Sequence, residues 1–236
     1  MRKITLFNAL TLPLAVGLLL AACGDAQAGA GGERASAGEV RSSGDAVPAS
    51  ADTVAPAEVR LGYSIGESEA PVAVVEFSDF GCPYCARFAR STLPVLKQEY
   101  IDTGRMRWRY IPVVFGFAGG ELMGAAAECA ADQGGGEAFW AAHDVLYRHQ
   151  TALRGEDARP RLLDRLVEAG LDRDALDRCI DSPEIRERLI ANTQLAQEWY
   201  VRGTPTFLVN GVPMSGAMPV DFFRKVLATV EDPSGL

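Results

Sequence analysis

A chain of 236 residues, 48% of them hydrophobic, is long enough to bury one generous domain or a small domain carrying a large insertion. With 23 Lys and Arg against 31 Asp and Glu, the net charge is −8 and no basic stripe appears, which argues against nucleic acid as a partner. The five cysteines include no second CxxC and no Cys/His cluster of zinc-site spacing, so no metal site is predicted.

Arg2 and Lys3 precede an apolar run from Ile4 to Leu20, the charged and apolar regions of an export signal. The run ends in Leu20-Ala21-Ala22-Cys23, which resembles the bacterial lipobox; that resemblance implies cleavage after residue 22 and a diacylglycerol on Cys23. An ordinary signal peptide cut nearby and a transmembrane helix are the alternatives, the second weakened by the shortness of the run. Residues 23–58 are rich in Gly, Ala, Ser, Asp and Pro with almost no large apolar side chain, a composition that reads as a flexible tether. The expected organisation is therefore a signal peptide over 1–22, a tether over 23–58 and a folded domain over 59–236. Its expected location is outside the cytoplasm, on a membrane-tethered lipoprotein facing the periplasm or cell envelope, where disulfides persist.

Val72–Phe77 is apolar and β-branched, as a central strand requires, with Glu76 as the anomaly within it. The next motif is Phe80-Gly81-Cys82-Pro83-Tyr84-Cys85. Cys82 falls at a helix N-cap and Pro83 at the first helical position, opening a helix to about Tyr100 that Pro94 should kink. Arg105–Tyr110 alternates arginine with large apolar residues, a strand with one wet face that suits an outer position. Residues from about 118 to 202 read as helical almost throughout. Within them Leu171, Ala175, Leu176, Cys179 and Ile180 share one face, and Ser182-Pro183-Glu184 opens a helix whose face is Ile185, Leu189, Ala196 and Trp199. Asn210-Gly211 between Thr206–Val209 and Val212–Met214 predicts a hairpin, and Phe223, Val226, Leu227 and Val230 mark a last helix from Pro219.

The strand–Cys82-Pro83-Tyr84-Cys85–helix unit, the later Gly203-Thr204-Pro205-Thr206-Phe207 and the closing hairpin and helix together resemble the thioredoxin superfamily. The helical block between the halves is similar to that of DsbA-type disulfide oxidoreductases, including BdbD-like and lipoprotein-like members. The resemblance covers roughly Leu61 to Val230. It implies an α/β thioredoxin fold with a helical domain inserted between its βαβ and ββα halves. It also implies a cis peptide bond at Pro205, packed opposite the CxxC, and a substrate-docking wall made with Thr204, Pro83 and Tyr84. Two departures bear on redox poise: Tyr84 stands where DsbA carries histidine, and Thr204 where DsbA carries valine.

Thiol–disulfide exchange needs a thiolate, and a cysteine at a helix start faces unpaired N–H groups and the positive end of the helix dipole. Cys82 is accordingly the expected nucleophile and Cys85, one turn inside, the resolving thiol. Glu76 matches the buried acid of DsbA-type proteins and is a candidate proton relay for Cys85; an outward-facing surface glutamate is the alternative. An oxidising compartment favours a structural disulfide between Cys129 and Cys179, with two buried thiols as the alternative. His143 and His149, six residues apart, read as packing or surface residues.

The leading functional reading is a monomeric envelope dithiol oxidase that uses its own redox-active disulfide and no other cofactor apart from the lipid on Cys23. The resemblance implies exported cysteine-containing proteins as substrates and a membrane re-oxidant of the DsbB or VKOR kind. A reductase or isomerase kept reduced is the first alternative. A copper carrier using Cys82 and Cys85 as soft ligands is the second.

Overall fold

The computed structural model describes residues 61–231; Cys23, the signal-peptide and tether segments and the two ends of the expected 59–236 domain lie outside that range. A five-stranded sheet forms the centre, built from β1 (Tyr63–Ile65), β2 (Val72–Ser78), β3 (Met106–Pro112), β4 (Thr206–Val209) and β5 (Val212–Ser215). Its order is β1-β3-β2-β4-β5, with β2 and β3 parallel and the other neighbours antiparallel.

The parallel pair is joined by α1 (Pro83–Ser91), α2 (Leu93–Leu96) and a π-helical turn at Lys97–Ile101. One long helix was expected here. The break falls at Thr92, because Pro94 has no N–H to give the carbonyl of Arg90 and its ring crowds that carbonyl. Between β3 and β4 come α3 (Gly120–His149), a 3₁₀ turn at Gln150–Leu153, α4 (Ala158–Glu168), α5 (Arg173–Cys179) and α6 (Pro183–Glu198), and α7 (Val220–Glu231) closes the chain. α3 is two helices in sequence, interrupted by non-helical backbone at Gly134 and Gly135. This is the thioredoxin architecture with its helical insertion.

Period-2 alternation sorts the sheet into two covered faces. On one, Val74, Trp108, Phe207 and Phe88 of α1 pack with Phe223 and Leu227 of α7, with Phe88 stacked on Trp108 at 5.7 Å. On the other, Phe77, Ile111 and Leu208 pack with Ala196 of α6.

Two expectations are corrected. β3 is an interior strand, because the three-residue β1 pairs along its far side and Arg109 Nε donates to Ser64 Oγ at 3.2 Å. The alternating arginines report a half-wet face, which is a different property from an edge. Trp199 does not share the buried face of α6: it lies just past the helix end and is 47% exposed, whereas Ile185, Leu189 and Ala196 are buried. The hairpin turn at Asn210-Gly211 has positive φ at both residues, as a two-residue hairpin loop demands, and Asn210 Oδ1 accepts the Ala73 N–H at 2.7 Å.

The insertion is fastened at two places. Cys129 of α3 and Cys179 of α5 form a disulfide. The buried Glu128 carboxylate accepts from Tyr63 of β1 at 2.5 Å and from Arg188 of α6 at 3.0 Å, so a carboxylate that would be costly alone is paired on both sides.

Candidate active site

β2 ends in a turn that presents the dithiol at the start of α1. Buried Asp79 builds this turn: one carboxylate oxygen accepts the Gly81 N–H and the other the Phe115 N–H, each at 2.7 Å. Burial raises the Asp79 pKa, and these backbone donors oppose the rise. The backbone of the 115–120 loop lies directly against the turn. A Cβ on Gly81 would come within 2.7 Å of Phe117 Cβ, and one on Gly120 within 2.2 Å of Asp79 Oδ1, so both positions require glycine. From the insertion, Gln150 Nε2 donates to the carbonyls of Phe80 (2.6 Å) and Cys82 (2.8 Å), and Arg154 donates to the carbonyl of Gly81 (2.5 Å). The helical block thus holds the redox turn through three consecutive carbonyls.

Cys82 is the N-cap residue of α1, with extended backbone, and Pro83 is the first helical residue. Both cysteines are free thiols and both are buried. The Thr204–Pro205 peptide bond is cis, and the Cys82 thiol donates to the Thr204 carbonyl at 3.3 Å. The Thr204 hydroxyl is buried with no hydrogen-bond partner, which leaves its proton available to a thiolate beside it. The Cys82 pKa is lowered to about 6, first by the hydrogen bond from the Cys85 thiol and then by Thr204 and the Cys85 and Tyr84 N–H groups, which outweigh desolvation. Cys85 moves the other way, raised by burial first and then by its bond to Cys82 and the charge there. The ionisable proton of the pair therefore leaves Cys82 first.

Tyr84 and Pro83 are exposed beside the thiols, and the Arg87 guanidinium lies 5.2 Å from the centre of the Tyr84 ring. Behind the thiols the environment is buried and polar. Glu76 faces inward: Trp108 Nε1 donates to Oε2 at 3.0 Å, and Oε1 is buried without a partner. Burial raises Glu76 to about 7, with hydrogen bonds from Ser78 and Trp108 opposing. Tyr110 and Tyr147 place their hydroxyl oxygens 2.7 Å apart beneath the same turn. His143 is buried edge-on to both tyrosines, with Nδ1 2.9 Å from Asp144 Oδ1. Among the described residues no His/Cys/Asp/Glu cluster is arranged to hold a metal ion.

Ser78, Asp79, Gln150, Arg154 and Tyr147 escaped the sequence reading. Asp79-Phe80-Gly81 carries the signal of a side-chain-capped turn, and Ser78 shares the inward face with Glu76 at strand spacing. Nothing local marks Gln150 or Arg154, whose partners lie about 70 residues away.

A thioredoxin family model matches residues 59–229. The probable disulfide bond formation protein D of Bacillus anthracis is 36% identical over 152 residues, covering 63% of this chain and 69% of that protein. Of solved structures, oxidised BdbD from Bacillus subtilis superposes with a TM-score of 0.66 at 24% identity, covering 72% of this chain and 92% of that one. DsbA from Chlamydia trachomatis does so with a TM-score of 0.65 at 20% identity, over 75% and 95% respectively. At these identities the structural matches speak to fold alone.

Proposed function

The chain belongs to the thioredoxin family as a DsbA-like thiol–disulfide oxidoreductase, and on that premise we propose that it works in the oxidising direction, inserting disulfides into exported proteins. The observation that carries this reading is the placement of the two thiols: Cys82 caps the start of α1 beside the cis Thr204–Pro205 bond while Cys85 is buried one turn in, a difference that lowers the Cys82 pKa to about 6 and raises that of Cys85. A substrate thiolate attacks Sγ of Cys82 in the Cys82–Cys85 disulfide, and Cys85 departs as a thiolate that takes up a proton. A second substrate thiolate then attacks the substrate sulfur of the mixed disulfide and expels Cys82, whose low pKa makes it the better leaving group. Thr204, Pro205, Pro83 and Tyr84 border the sulfur and are the surface against which the substrate backbone docks.

Magnitude tempers the direction. At pH 7 a thiol of pKa about 6 stands at about ten parts thiolate to one thiol. Compared with an unperturbed cysteine, this stabilises the reduced form by about 1.4 kcal/mol, or about 30 mV for a two-electron couple. That favours oxidation of substrates without reaching the poise of DsbA itself. Anchoring through a lipid on Cys23, a location in the cell envelope, and re-oxidation by a quinone-linked membrane partner of the DsbB or VKOR kind complete the reading. Among the described residues no helix is long and apolar enough to cross a membrane.

The test is the reduction potential of the full chain, equilibrated against glutathione buffers, with oxidative refolding of a reduced client protein alongside. The expected potential lies between thioredoxin's, about −270 mV, and DsbA's, about −120 mV, with disulfides appearing in the client. A value at or below thioredoxin's, with reduction of client disulfides, would reverse the assignment to a reductase.

A further inference from the structure

Charge is distributed unevenly around the redox sulfur. Four segments converge there. The turn and helices at 80–96 carry the two thiols. The loop at 113–119 packs on that turn, so that a Cβ on Gly81 would lie 2.7 Å from Phe117 Cβ. The segment at 150–155 donates from Gln150 Nε2 to the Cys82 carbonyl at 2.8 Å and from Arg154 to the Gly81 carbonyl. The stretch at 199–219, between α6 and α7, supplies the Thr204 carbonyl that accepts from the Cys82 thiol at 3.3 Å. In a chain with 31 Asp and Glu and a net charge of −8, none of these segments contains an acidic residue, and together they contain Arg87, Arg90, Arg154 and Arg202.

Two of these arginines are tied to the main chain: Arg90 donates to the Tyr147 carbonyl at 2.8 Å and Arg154 to that of Gly81. The other two, Arg87 and Arg202, are exposed, and among the described residues neither pairs with a carboxylate. Arg87 lies one helical turn beyond Tyr84, and its guanidinium sits 5.2 Å from the centre of that ring, which is 57% exposed beside Cys82. Arg202 stands two residues before Thr204, on the loop that contacts the sulfur. One cation is therefore on the helix that carries Cys82 and the other on the loop facing it. Most of the carboxylates that bound the four segments are already engaged. Asp79 is buried against main-chain N–H groups, Glu121 faces Arg186 at 3.7 Å, Asp157 faces Arg161 at 3.9 Å and Asp221 faces Arg224 at 2.8 Å. Glu156 and Glu198 are the exposed acids that remain at the segment ends.

The geometry points to a charge-selective client site in which Arg87 and Arg202 favour a cysteine flanked by aspartate or glutamate. This rests on the thiol–disulfide reading above and names the class of client segment that the same site takes.

The position of the cations decides the partner. Charges on an exposed surface are screened within about 8 Å at physiological salt, so only residues close to the client cysteine are brought near these guanidiniums by the exchange itself. An anionic lipid or a nucleic acid would meet the same charges but offers no thiol to Cys82. The acidic remainder of the surface repels an acidic segment elsewhere, which leaves the rim of the redox site as the place that receives it. Arginine suits the task, because its planar fork binds a carboxylate through two parallel hydrogen bonds.

The experiment is rapid-mixing exchange between the oxidised full chain and three reduced peptides, in which a single cysteine is flanked by two aspartates, two glutamines or two lysines. Rate constants are expressed per client thiolate, because the flanking charges also shift the client's own pKa, and the glutamine peptide is the reference within each variant. Wild type should exchange in the order acidic, neutral, basic, with the acidic peptide roughly tenfold faster than the basic one at low salt and the gap closing towards 0.5 M, roughly a Debye length of 4 Å. R87E/R202E should invert the order. R87K/R202K, which keeps both charges, should preserve it. A wild type with no preference, or an order that survives charge reversal, would overturn the proposal and leave the exchange function standing. Loss of the order in the lysine pair would overturn charge as the property being read. A wild-type protein that exchanges with none of the peptides would remove the functional reading beneath it.

Discussion

Cys82 and Cys85 sit three positions apart at a helix start, whereas Cys129 and Cys179 join α3 to the end of α5 across a separation of 50 residues. The first pair lies among groups that can give or take a proton: Thr204 and the first N–H groups of α1 around Cys82, with the buried Glu76 carboxyl on the neighbouring strand. The second pair joins two helices of the insertion in the same apolar core, and both of its sulfurs are committed to the disulfide. The contrast shows what divides a reversible disulfide from a fixed one. Both pairs contain the same atoms. The pair at the helix start has its Cys82 thiol bonded to the Thr204 carbonyl beside the cis Pro205 bond.

The largest effect that would break this comparison comes from the fixed pair. C129A/C179A should cost about 4 kcal/mol of stability in the chain-entropy account of a loop this long, read by chemical denaturation under oxidising conditions. Exchange by the folded fraction should persist. A stable variant that had lost exchange would mean that the second disulfide belongs to the chemistry.

A somewhat smaller effect sharpens the other side. Glu76 binds its proton more tightly in the folded chain, near 7, than at its ordinary 4.5, so folding takes up a proton between those values. Stability should therefore decline as pH rises from about 4.5 through 7, and the cost at higher pH is the price of keeping a carboxylate beside Ser78. In E76Q that slope should vanish. The difference between variant and wild type should grow in the variant's favour by roughly 3 kcal/mol from about pH 4 to about pH 8. Parallel stability curves would place Glu76 outside the buried network.

Much of the reactive pair's setting was legible because it is local. Cys82-Pro83 at a strand-to-helix junction, Thr204-Pro205 before a strand, and Asn210-Gly211 each carry their signal within a few residues. Glu76 was ambiguous for a physical reason. A glutamate in an apolar strand faces out or in according to a register that pairing decides, and here Trp108 of the paired strand receives it inside. The clamp of Gln150 and Arg154 on the redox turn left no trace in sequence, since hydrogen bonds to main-chain carbonyls demand no particular partner residue. β1 is too short for periodicity to register, and without it β3 looked like an edge.

The central claim is that the surroundings of Cys82 make it a thiolate near neutral pH. The direct measurement is the pH dependence of its alkylation rate and ultraviolet thiolate absorbance in the reduced full chain, with C82S as the blank. The predicted midpoint is about 6. Because that value is depressed, the stabilisation it gives the reduced fold should be complete above the unfolded thiol's pKa, 9.0, and lost as pH falls through 6. A midpoint at the ordinary value of 9.0, with no such change in reduced-state stability, would contradict the account.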